Sequence, residues 1–79
     1  MTDYASVNQP HTLAAIEAQG QTLQLEDGSR WDVYSGFVPV TAHWNEGDMI
    51  NVRASRDDEY PYHIINIHKN QSADARLIP

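Results

Sequence analysis

The chain has 79 residues, enough for one small domain and a thin core. It has no cysteine, which excludes disulfides, zinc knuckles, iron–sulfur clusters and thiol nucleophiles. Eleven acids stand against five bases, for a net charge of −6 with His neutral, and Arg30, Arg53, Arg56, Lys69 and Arg76 are scattered. Binding to duplex or single-stranded nucleic acid needs clustered cations, so neither nucleic acid nor an anionic membrane is an expected partner.

Residues 1–10 are polar and aperiodic and are expected to form a flexible tail, leaving 11–79 as one barrel domain. Met1-Thr2-Asp3-Tyr4 lacks the basic and apolar regions of a secretory leader. The longest apolar run, Leu13-Ala14-Ala15-Ile16, is far short of a membrane span. A soluble cytoplasmic protein is the expectation.

From Thr12 onward, short apolar runs alternate with turn signals, the pattern of an all-β chain. The first predicted strand is Thr12 to Ala18. Its Leu13 and Ile16 break strict alternation, which a bulge or burial on both faces would reconcile. Gln19-Gly20-Gln21 is a turn.

The stretch Thr22 to Tyr34 predicts a hairpin. A two-residue Asp27-Gly28 turn would set Leu25 opposite Arg30, apolar against charged. A three-residue Glu26-Asp27-Gly28 loop instead sets Leu25 opposite Ser29, Gln24 opposite Arg30 and Leu23 opposite Trp31. Leu23, Leu25, Trp31 and Val33 then share one face, and Gly28 takes the left-handed position of a G1 bulge.

Phe37 to Trp44 has two readings. Val38, Val40, Ala42 and Trp44 alternate like a strand, but Pro39 demotes it to an edge or an irregular crossing. The other reading is a single helical turn around Thr41 to Trp44. Asn45-Glu46-Gly47-Asp48 is a turn. Met49 to Ala54 is a strand with Ile50 and Val52 inward, and Ser55 to Pro61 is a charged loop. Tyr62 to Lys69 reads as a strand with Ile65 and Ile67 on one face and Ile64 on the other. Asn70-Gln71-Ser72 turns the chain, and Ala73 to Ile78 adds a last short strand. Five or six short strands in so short a chain predict a small, strongly bent antiparallel barrel, SH3-like or OB-like.

Several groups of residues bear on function. His43, Glu46 and Asp48 cluster around one turn and are weak candidates for a divalent metal. The alternative is a surface histidine beside a turn-stabilising Asp48. His63 and His68 are five apart, which on a continuous strand places them on opposite faces. Asp57-Asp58-Glu59 is the densest negative run. With Tyr60, Tyr62 and Ile64 it forms the expected interaction surface, where isoleucine on both faces of a strand points to self-association or a protein partner. The rings around Pro61 have a second reading, as caps on the barrel's open end. Trp31 is a core residue. Trp44 is expected to plug the barrel base with its indole N–H on a carbonyl. Asn66 is expected to satisfy loop backbone. No serine sits in a nucleophile elbow, the four glycines are isolated, and neither catalysis nor a cofactor is expected.

Leu25-Glu26-Asp27-Gly28-Ser29-x-Trp31, then Trp44-x-x-Gly47-Asp48, Ile50-x-Val52 and Tyr62-x-x-Ile65-x-Ile67, resemble the turn and core residues of small bacterial β-barrel proteins with no assigned activity. The resemblance covers about residues 12–68 and implies architecture only. The leading expectation is a non-catalytic protein-interaction or scaffold module of a bacterial cell. The alternatives are an acidic inhibitor that mimics nucleic acid and a small metal- or ligand-binding protein.

Overall fold

In the computed structural model, residues 7–79 are described. The six strands are β1 (Pro10–Glu17), β2 (Thr22–Leu25), β3 (Arg30–Val33), β4 (Met49–Ala54), β5 (Tyr62–Asn66) and β6 (Gln71–Ile78), and one short helix, α1 (Val38–Thr41), lies between β3 and β4. The strands close into an antiparallel barrel in the order β1-β2-β3-β6-β5-β4. The exposed surface of 4779 Å² matches the roughly 4,800 Å² that surface scaling gives for a folded chain of this size.

Closure depends on β1. Its first residues, Pro10 to Thr12, pair with β4. Leu13 to Glu17 pair with β2, with a register shift between Leu13 and Ala15. The extra residue bends the strand, so that Leu13 is buried and Ile16 also packs on the core. Part of the expected tail therefore belongs to the barrel. β1 starts at Pro10, Asn8 donates its backbone N–H to Val52 at 2.7 Å, and Val7 packs on the core. The rest of that tail, residues 1–6, lies outside the described residues.

The hairpin has the three-residue register. Leu23 faces Trp31, Gln24 faces Arg30, and Leu25 N–H donates to Ser29 O at 2.9 Å. Gly28 has φ +88°. Leu23, Leu25, Trp31 and Val33 are all buried.

Residues 38–44 are no strand. A 3-10 turn at Ser35–Phe37 leads into α1, which has Pro39 in its first turn, where a missing N–H costs nothing. The helical reading holds, but the helix starts three residues earlier than Thr41. Thr41 is buried and its hydroxyl donates to Gly20 O at 2.6 Å, which fixes α1 against the turn after β1.

β5 is shorter than expected and ends at Asn66, so the odd spacing of His63 and His68 says nothing about faces of one strand. Its inward residues are Tyr62, Ile64 and Asn66, and Ile64 is 0% exposed between Val52 on β4 and Ala73 on β6. Ile65 is half-buried and Ile67 is 50% exposed in the turn beyond. Among the described residues, no helix is long and apolar enough to cross a membrane.

Candidate functional site: an acidic cleft with aromatic walls

One end of the barrel is closed by polar links. Trp44 is buried there, and its indole N–H donates to the side-chain carbonyl of Gln71 at 2.9 Å. At the other end, where β5 begins, the chain leaves a concavity of about 320 Å³ lined by Tyr34, Asp57, Glu59, Tyr60 and Asp74.

Each wall has a local cause. Tyr34 directly follows β3, and its N–H donates to Asp74 O at 2.8 Å, so the β3–β6 pairing continues one residue past the strand and sets these two together. Asp74 lies on β6 between the inward Ala73 and Ala75, so its carboxylate points outward. The loop after β4 is closed by Ser55 N–H on Pro61 O at 2.7 Å. Inside it, Asp57 Oδ1 accepts the backbone N–H groups of Glu59 and Tyr60, each at 2.8 Å. Those two bonds, Tyr60 first, hold the Asp57 carboxyl below its ordinary pKa. The loop therefore presents a carboxylate and a ring in fixed relation.

The rings of Tyr34 and Tyr60 meet edge to face, with centroids 5.1 Å apart. The Arg76 guanidinium lies 5.3 Å from the Tyr60 centroid while its Nε donates to Asp32 at 2.9 Å. The Tyr60 ring thus already carries one cation. His63 Nδ1 stands 2.7 Å from Asp74 Oδ1 at the margin of the cleft.

Of the residues expected at an interaction surface, Asp57, Glu59 and Tyr60 line this cleft. Asp58 is exposed on the same loop but is not part of the lining. Tyr62 and Ile64 belong to the core instead, Tyr62 packed edge-on against Trp31 at 5.2 Å between centroids. The two-sided isoleucine argument for self-association falls with them, because the barrel itself covers Ile64. Tyr34 and Asp74 escaped the sequence reading. The alternation of Ala73, Asp74 and Ala75 was the available signal.

His43, Glu46 and Asp48 do not converge. Asp48 is buried and accepts the Asn45 N–H at 3.0 Å and the Asn66 amide at 2.8 Å, and its imidazole neighbour is His68 at 3.5 Å. Asn66 Oδ1 in turn accepts the Lys69 N–H at 3.0 Å, the loop-satisfying role expected of it. His43 and Glu46 stay exposed. Among the described residues, the metal-ligating side chains that do converge are His11, Glu26 and Asp27.

Comparison with family models, with curated proteins and with solved structures finds no match for this chain.

Proposed function

We propose that this barrel is a non-catalytic protein-interaction module that receives a basic side chain of a partner protein in the cleft between Tyr34 and the 55–61 loop. The observation that carries this reading is the convergence of Tyr34 and Tyr60 with the carboxylates of Asp57, Glu59 and Asp74 around one concavity. A guanidinium or ammonium group gains there from carboxylates that accept charge-assisted hydrogen bonds and from the Tyr34 ring, since the Tyr60 ring is already engaged by Arg76. A ring contact of this kind is worth about 0.5–1 kcal/mol at an exposed site, so the affinity is modest and several contacts along a peptide are needed. Grouping of the acids around one concavity favours a point cation over a row of mimicked phosphates. Ile64 lies in the core and offers no contact to a second copy, so the reading takes another protein as the partner.

The same proposal places the protein in the reducing cytoplasm of a bacterial cell. The support for it is that the turn and core residues resemble those of small bacterial barrels of SH3-like or OB-like type.

The test is an NMR titration with a short blocked peptide containing two arginines. The expected result is saturable shifts centred on Tyr34, Tyr60 and Asp74, weakened by Glu59→Gln and lost in Tyr34→Ala. Absence of shifts at millimolar peptide, or shifts that Tyr34→Ala retains, would overturn the reading.

A further inference from the structure

We infer that His11, Glu26 and Asp27 form a binding site for a divalent first-row transition ion, independent of the cleft. β1 supplies the imidazole and the turn between β2 and β3 supplies both carboxylates. Glu26 N–H donates to Thr12 O at 3.0 Å, which pins the turn to the residue next to His11. His11 is 6% exposed, and its position is fixed by pairing with Ile50 on β4. The carboxylates of Glu26 and Asp27 stand at the surface, 48% and 30% exposed, so an ion reaches them from solvent.

The spacing between His11 and Glu26 is that of two donors in one coordination shell. Two donors each about 2.0–2.2 Å from one metal stand roughly 3.0–3.5 Å apart. His11 Nδ1 lies 3.1 Å and 3.3 Å from the two oxygens of Glu26. Asp27 Oδ2 lies 3.9 Å from the same nitrogen, and one ligand atom from each side chain falls within 4.8 Å of the others. Closing the third ligand takes a small shift of an exposed side chain. Asp27 is already oriented, because its Oδ1 accepts the Ser29 N–H at 2.9 Å and the Ser29 hydroxyl at 2.6 Å. One imidazole nitrogen with carboxylate oxygens suits zinc, cobalt or nickel, and three protein ligands leave positions for water.

The same geometry is that of a histidine ion pair, in which a proton occupies the place of the ion. Asp27 and Glu26 also serve the turn through backbone bonds, Asp27 N–H donating to Glu26 Oε2 at 3.1 Å, and both roles are compatible with coordination.

The experiment is calorimetric titration of the full chain with zinc at neutral pH, repeated for Glu26→Gln, Asp27→Asn and His11→Gln, with thermal melts in zinc and in chelator. The expected result is one zinc per chain, at least tenfold weaker binding in Glu26→Gln and Asp27→Asn, and none in His11→Gln. Cobalt should broaden the His11 ring resonances of the unmutated chain. That signal and the two carboxylate variants decide the matter even where His11→Gln fails to fold. No heat and no thermal shift at millimolar zinc would overturn the site, as would zinc binding left unchanged by both carboxylate variants.

Discussion

The side-chain amide of Asn66 donates to Asp48 Oδ2 at 2.8 Å, joining the turn before β4 to the last residue of β5. The Asn45 N–H is the largest of the influences that hold the Asp48 carboxyl below its ordinary value of 3.8. The Asn66 amide, His68 and Lys69 act in the same direction, while burial opposes them. An acid whose folded pKa is depressed binds fewer protons folded than unfolded. Its stabilisation is complete above the unfolded value and is lost as pH falls through the folded one. The urea midpoint should therefore drop as pH is lowered from about 5 toward 3, and Asp48→Asn should flatten part of that slope. An Asp48→Asn chain with the full acid dependence would remove Asp48 as its source.

The two glycines that flank β2 should respond differently to substitution. Gly28 has open space where a Cβ would go, so Gly28→Val meets only the strain of its positive φ. That strain is on the order of 1–2 kcal/mol. A Cβ on Gly20 would stand 2.6 Å from Ala42 N and 2.8 Å from Ala42 Cα, both backbone atoms of the segment that ends α1. Gly20→Ala should cost about 2–5 kcal/mol, the same strain plus overpacking. Chemical denaturation of both variants checks the order, and an equal cost would mean that α1 moves freely off Gly20.

Ile64→Ala should cost about 2–5 kcal/mol, since it opens a cavity in a core that cannot fully collapse. Ile67→Lys should change stability by no more than about 0.5 kcal/mol. Neither should alter sedimentation at micromolar concentration. A large loss from Ile67→Lys, or a change of sedimenting mass, would show that the exposed isoleucine is covered in solution.

Random duplex DNA should give no salt-dependent shift at physiological ionic strength, because the chain carries a net charge of −6 without a cluster of cations. Saturable binding that weakens with salt would contradict this.

The hairpin was legible because two independent local signals agree there. The parity of Leu23, Leu25, Trp31 and Val33 and the glycine of the turn demand one register. The parity of β5 was legible, with Ile64 on one face and Ile65 on the other, but alternation alone does not say which face the barrel covers, and it covers that of Tyr62, Ile64 and Asn66. The segment from Val38 to Thr41 shows why a single helical turn escapes periodicity. Four residues are too few to separate a period of 3.6 from alternation, and Pro39 was the better guide. The cleft needed the β3–β6 pairing, which joins residues as far apart as Arg30 and Ile78, 48 positions along the chain. Nothing local to either strand announces that pairing.

The place of β6 between β3 and β5 has a consequence for how the chain acquires its shape. The five earlier strands pair among themselves, giving an open sheet ordered β3-β2-β1-β4-β5 with a slot one strand wide. Without Gln71 to Ile78 that slot is empty, and Trp31 and Tyr62 stand at its two rims with bare backbone beside them. A chain whose β6 is undocked thus carries two unpaired edges facing one gap, which the β6 of a neighbouring copy would fit as well as its own.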